Sequence, residues 1–240
     1  MSNPVHLSKS EAAIVLGLKY RSYQEYLSAR CLFHHGYIEQ AVTISNTCIE
    51  KQLKAALTGL SVKFKYTHDT PQLLEDIRCV RPKLASCFNV EYFQMLKKVY
   101  NFRYFSAGIV GSNYSISRNY YLAELDFTFS ILEPFSSIER LDGKVETSGY
   151  KSDIQTKLGA LYSNNYILCD LPKESIFGGN DLVLAGIVTS DYKIYNAEIS
   201  GPTHPFFAKL DAEGIKVIDN RFEATIPPDT EDTTYVRNLL

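Results

Sequence analysis

The sequence predicts two domains: an all-α bundle over residues 1–137, followed by a small α+β domain over residues 138–240. Three observations predict this division. Apolar residues recur every three to four positions as far as Leu132, whereas beyond residue 160 they fall into short or alternating runs. The stretch 134–149 between the two patterns is rich in Ser, Gly and charge. The charge divides there as well: 15 basic against 11 acidic residues up to Ser137 give +4, and 10 against 16 beyond it give −6.

Composition narrows the classes. Apolar residues make up 45% of the 240 positions and charged ones 22%, close to an ordinary globular chain. A disordered chain, a collagen-like fibre and a coiled-coil rod are excluded. No run of about 18 uncharged apolar residues is present, so no membrane partner is expected. The first residues have neither the basic nor the apolar block of a secretion signal, and five cysteines without a C-x-x-C pair predict reduced thiols and a cytoplasmic location.

The elements follow in order. Ser8-Lys9-Ser10-Glu11 has capping-box spacing and opens a short helix that Gly17 is expected to interrupt. A helical pattern over 20–35 repeats Tyr23, Leu27, Arg30, Cys31 and His34, with Gly36 as its C-cap. The next helix, 38–59, turns Ile38, Ala41, Val42, Ile49, Leu53 and Leu57 inward and is expected to keep Glu50, Lys51 and Lys54 on its wetter side. The loop at Gly36 is so short that these two helices must form an antiparallel hairpin. Thr70-Pro71 starts a third helix with Thr70 as its cap, and Pro82 stops it. Asn89 caps a helix over 90–105, whose Tyr92, Phe93, Tyr100, Phe102, Tyr104 and Phe105 are expected in the core or a dimer contact. A polar loop over 108–117 leads to the last helix of the bundle, which starts near Ser117 and ends before Pro134. No strand is expected before residue 137. In the back half, 150–161 reads as a helix and 166–171 as a short apolar run. The runs 182–189 and 192–199 read as a hairpin, 205–212 as a helical turn, and 215–218 and 221–226 as further strands.

Most catalytic signatures are missing. The chain has no G-x-G-x-x-G, no G-x-x-x-x-G-K, no H-E-x-x-H and no G-x-S-x-G, so no cofactor is expected. His6, His34, His35, His68 and His204 lack partners at metal-ligand spacing, so no metal is expected either. His34 and His35 read as a helix C-terminus, where the dipole favours histidine. A nucleotidyltransferase reading of the back half fails, because Gly178-Gly179-Asn180-Asp181 is not followed by a second carboxylate.

One arrangement is more specific. Gly36-Tyr37 and Ala41 join the two hairpin helices, Glu50, Lys51, Lys54 and Ala55 mark the second, and Thr67-His68-Asp69 precedes the third. In this order over residues 20–135 the chain resembles the HEPN superfamily, the helical domains found beside minimal nucleotidyltransferases and in ribonuclease toxins and defence proteins. The resemblance implies an R-x4-6-H motif at the start of the last bundle helix, in which Arg steadies the phosphate and His moves the proton. Arg118-Asn119 stand at that place, but Ala123, Glu124 and Leu125 occupy the positions where His should follow. The pair Arg30–His35 has the spacing on the wrong helix and is discounted. Arg118-Asn119 is then either a surviving phosphate site at a helix N-terminus or an exposed first-turn pair. Thr67-His68-Asp69 either sets the entry of the third helix or joins a nucleic-acid surface with Lys51, Lys54, Lys63, Lys65, Arg103 and Arg118. The resemblance implies a protein with a degenerate catalytic motif that binds RNA, nucleotide or a partner protein encoded by a neighbouring gene, in a bacterial toxin–antitoxin or defence system. The alternatives are an active metal-independent ribonuclease with an altered site, or a pure dimerisation module. It further implies a homodimer through the helical domain.

Overall fold

The capping box at the start of the chain closes as its spacing predicts. In the computed structural model, which describes residues 7–100, 113–138, 146–176, 183–188, 194–199 and 222–225, the Glu11 N–H donates to Ser8 Oγ and the Ser8 N–H to Glu11 Oε2 at 2.8 Å. From there α1, Lys9–His34, runs without a break. The expected interruption at Gly17 does not occur, since this residue lies exposed with nothing within 4 Å of a notional Cβ, and its propensity cost is absorbed by a helix of 26 residues. Gly36 takes φ +82°, which lets the chain reverse into α2, Ile38–Gly59.

Three further helices complete the front of the bundle: α3, Thr70–Val80; α4, Pro82–Ala85; and α5, Val90–Tyr100. The cap of α3 is Asp69 rather than Thr70, since the Asp69 carboxylate accepts from the Gln72 N–H at 3.2 Å. Asn89 Oδ1 caps α5, accepting from Glu91 N–H at 3.0 Å. Of the aromatics expected in the core or a dimer contact, Tyr92 and Phe93 are fully buried in the molecule's own core, and Tyr100 stacks on His68. Phe102, Arg103, Tyr104 and Phe105 lie outside the described residues.

The largest departure from the sequence reading comes next. Residues expected as loop form β1, Asn113–Ser117, which continues directly into α6, Arg118–Leu132. With β2, Val183–Val188, β3, Ile194–Ile199, and β4, Phe222–Thr225, it makes an antiparallel sheet of order β3-β2-β1-β4. Ile116 pairs with Leu184 on one side and Phe222 on the other. The expected β2–β3 hairpin is present, and 205–212 and 215–218 lie outside the described residues.

The segment after residue 145 also differs. The single helix expected over 150–161 is two, α7, Gly149–Gln155, and α8, Gly159–Tyr162, split where Lys157 takes φ +53°. The apolar run 166–171 forms turns, with Asp170 at φ +51°. These pieces pack on the bundle. Tyr150, Leu161 and Leu184 belong to the same apolar core as α1, α2, α5 and α6. The Tyr23 hydroxyl donates to Asp153 at 2.5 Å.

At the centre sits Arg30, which has no exposed surface. Its NH1 donates to both oxygens of Asp126 on α6, its Nε to the Ala160 carbonyl at 3.1 Å and its NH2 to the Ser163 carbonyl. The Tyr26 hydroxyl donates to Asp126 Oδ1 at 2.7 Å, and Asn165 Nδ2 donates to the Tyr26 oxygen at 3.2 Å. Burial works against the charge on Arg30, and the Asp126 carboxylate outweighs it and holds the guanidinium above its ordinary range.

Removing one side of this pair leaves the other charged in the core. Arg30→Ala is expected to cost about 3–5 kcal/mol in urea denaturation, whereas Arg30→Met combined with Asp126→Leu retains most of the stability because no lone charge remains. The sequence predicted few contacts across residue 137, yet a chain ending at Ser137 would lose the carbonyls that hold Arg30 and the rings of Tyr150 and Tyr166. Such a fragment is expected to melt broadly by circular dichroism, and a sharp transition would contradict the packing described here.

Candidate functional site

Arg118 owes its place to both neighbouring elements. β1 is held on two sides by β2 and β4, and its last residue, Ser117, caps α6 by accepting from the Tyr120 N–H at 3.2 Å. The first turn of α6 is thereby anchored. Arg118 Nε donates to Asn119 Oδ1 at 3.0 Å, and Asn119 Nδ2 donates to the Ile176 carbonyl at 3.1 Å. Around them lies a pocket of about 250 Å³, lined also by Asn164, Tyr166 and Ser175. A guanidinium, a carboxamide and a helix N-terminus together suit a phosphate group.

His34 reaches the same end of the molecule from α1. Its Nε2 lies 3.1 Å from the Ser163 carbonyl, next to the pocket residue Asn164. Burial, with the charges of Arg30 and Arg118, pushes its pKa below the ordinary 6.5. Sequence reasoning read His34 as a helix-end residue and missed this placement. His35 does fit the helix-end reading, with its Nδ1 2.8 Å from the Cys31 carbonyl. The only signal for His34 would have been the antiparallel course of α1 and α6, fixed by the contact of Lys19 with Glu133 at 2.9 Å near their opposite ends.

A second cleft, of about 560 Å³, adjoins the first, and Tyr166 lines both. Its polar lining includes Glu124, Asn89 and Lys173, of which Glu124 is the most deeply placed. This residue is 1% exposed, because α6 turns it under the segment 166–173. Its Oε1 accepts from Asn89 Nδ2 at 3.0 Å and from the Lys173 ammonium. That ammonium also lies 5.7 Å from the Tyr120 ring centre and 5.8 Å from that of Phe127. Ala123 and Leu125 are fully buried.

The remaining predicted residues gather elsewhere. Glu50 and Lys54 were expected on the wet side of α2, yet they are 6% and 4% exposed. The segment after α2 folds back over them, so that His68 Nδ1 meets Glu50 Oε2 at 2.9 Å, Lys54 Nζ meets Glu50 Oε1 at 2.7 Å, and Lys54 stands 4.7 Å from the Tyr66 ring. Asp69 accepts from Lys97 at 2.6 Å and Thr67 Oγ1 from the Asp69 N–H at 3.0 Å. The Thr67-His68-Asp69 step therefore makes the side-chain bonds of its first reading, as the entry to α3. Lys51 is paired with Glu25 at 2.5 Å, leaving Lys63 and Lys65 exposed on the loop. Lys54 lies about 24 Å along α2 from the end where His34 and Arg118 meet, so the structure does not join the predicted cations into one stripe.

Among the described residues no group of three His, Cys, Asp or Glu is placed to hold a metal ion, and no helix is long and apolar enough to cross a membrane. Residues 17–118 match the family model described as HEPN domain, the family that the helix order and the Thr67-His68-Asp69 step resemble. The match ends on Arg118 and leaves the rest of α6 and all that follows outside it. No curated protein and no solved structure matches the chain.

The lowered pKa of His34 has a definite sign in stability. Below the ordinary 6.5 the unfolded chain takes up a proton that the native chain takes up only at lower pH, so this contribution is present above 6.5 and is lost as the pH falls. His34→Gln is expected to flatten that part of the decline, measured as urea midpoints between about pH 7.5 and about pH 5.5.

Proposed function

With a HEPN domain at residues 17–118 as the premise, we propose that this chain is a HEPN protein with a degenerate ribonuclease motif. It uses Arg118 and Asn119 to hold the phosphate of an RNA strand or a nucleotide. The observation that carries the reading is the state of the three positions where the family's His would follow Arg118: Ala123, Glu124 and Leu125 are all buried, and none of the three is a histidine. Leu125 stands two turns from Arg118 on the same helix face and is part of the core. The phosphate-binding half of the motif is retained in a pocket of suitable size while the proton-transfer half is absent from α6.

One observation favours a second reading, an active metal-independent ribonuclease with an altered site. His34, from α1, approaches the Arg118 pocket, and its lowered proton affinity keeps the imidazole neutral near neutral pH, the form that can accept a proton. The pair Arg30–His35 supports neither reading, because Arg30 is buried against Asp126.

The biological setting proposed, a bacterial toxin–antitoxin or defence system, rests on the family alone. The domain reading that accompanies it groups residues 146–176 with the bundle, on the strength of the Arg30 contacts, and confines the small α+β unit to the sheet and the residues around it. A homodimer remains part of the proposal. The surface proposed for it is the exposed part of α1 around Ile14, Leu16 and Tyr20.

Fluorescence anisotropy with a short single-stranded RNA tests the phosphate site. Arg118→Ala is expected to weaken binding at least about fivefold and to lower the salt slope by about one. The RNA should remain intact in the presence of a chelator. Metal-independent cleavage that His34→Gln abolishes would establish the second reading. Light scattering at tens of micromolar is expected to give the mass of a dimer, which Tyr20→Glu should halve.

A further inference from the structure

The Arg118 pocket and the Glu124 cleft are neighbours, and one ring, Tyr166, forms part of both. We propose that the Glu124 cleft binds a guanine base, whose phosphate lies at Arg118. The position of the phosphate rests on the functional reading above, and the base site rests on the cleft alone.

The cleft combines two features that a nucleobase requires. Its walls are aromatic, with Phe88, Tyr120, Phe127 and Tyr166 presenting rings or ring edges. Its one buried charge is the Glu124 carboxylate, 1% exposed and flanked by two donors, Asn89 Nδ2 and the Lys173 ammonium. A volume of about 560 Å³ exceeds what a purine needs and falls in the range of small-ligand sites.

The order of hydrogen-bonding groups selects the base. The guanine edge carries two adjacent donors, N1–H and N2–H, beside one acceptor, O6. A carboxylate accepts both N–H groups, and an Asn89 or Lys173 N–H can donate to O6. Adenine and cytosine turn a ring-nitrogen lone pair toward the same carboxylate and are repelled. Uracil offers one N–H between two carbonyl oxygens, each of which the carboxylate repels. A buried carboxylate that is left facing an acceptor loses its partners without gaining new ones, which makes the discrimination steep. Arg118 and Glu124 are six residues apart, about 9 Å along α6, within the reach of one nucleotide.

The test is equilibrium dialysis of the full chain against guanosine, GMP, AMP and inorganic phosphate. GMP is expected to bind at least about tenfold more tightly than AMP. Glu124→Gln should remove that preference and leave inorganic phosphate binding unchanged, and Arg118→Ala should weaken GMP but not guanosine. Should Glu124→Gln fail to fold, the wild-type chain still decides the matter through Cys87, an exposed thiol that lines the cleft. Guanosine is expected to slow the modification of Cys87 by a thiol reagent, and adenosine to leave it unchanged. Equal binding of GMP and AMP, or an unprotected Cys87, overturns the base site. If inorganic phosphate still depends on Arg118 in that case, the phosphate reading survives. Protection by guanosine without any effect of Arg118→Ala on phosphate supports the base site and overturns the phosphate reading. A uridine-rich single-stranded RNA with one guanine separates the two sources of the base. Protection of Cys87 at a lower concentration than GMP identifies RNA, and the reverse order identifies the free nucleotide.

Discussion

The buried pairing of Arg30 with Asp126 is the constraint on which the other parts of this molecule depend. A guanidinium without access to water has to satisfy its five N–H groups inside the protein. Here a carboxylate of α6 takes two bonds, and the carbonyls of Ala160 and Ser163 take two more. The arrangement fixes α6 against α1, with the Tyr26 and Phe129 rings stacked at 4.2 Å beside it. It also ties down the chain around residue 163. The residues that follow at once, Asn164 and Tyr166, form the outer wall of the Arg118 pocket. A charge in the core thus sets the shape of a surface site.

The same geometry decides which side chains the positions of α6 after Arg118 can hold. Once the helix is clamped at Asp126, its neighbouring positions are committed. Leu122, Leu125 and Phe129 face the core, and Glu124 turns under the segment that carries Lys173. A histidine at 123 or 125 would be surrounded by apolar side chains, where burial disfavours its protonated form. Arg118, at the helix end, is free of that restriction and retains its place beside the pocket.

What could be read in the sequence was what local chemistry determines. The Ser8–Glu11 capping box, the Gly36 reversal, the Asn89 cap and the inward stripe of α6 are each specified by residues a few positions apart. What could not be read depended on partners far along the chain. Arg30 resembled any other polar helix residue, because its carboxylate is 96 positions away. Glu50 and Lys54 have the spacing of a solvent-exposed pair, and only the return of His68 and Tyr66 over them places them inside. Asn113–Ser117, with two Ser and an Asn in five residues, has weak strand propensity, and becomes a strand because β2 and β4 pair with it. The candidate site divided in the same way. Arg118-Asn119 was visible as a motif, whereas the roles of His34, Glu124 and Lys173 required the three-dimensional arrangement.

That borrowed strand has a consequence for synthesis. β1 is made well before either neighbour, since β2 begins at Val183 and β4 ends at Thr225. On the ribosome the helices that precede it have emerged while both its edges still lack partners. A nascent chain in that state offers two unpaired backbone rows to any other strand nearby. The entry to α6, and with it the orientation of Arg118, is completed only once the chain as far as Thr225 has left the ribosome. A pocket lined by Arg118 and Asn119, directly after β1, therefore takes its final shape after the helices around it have formed.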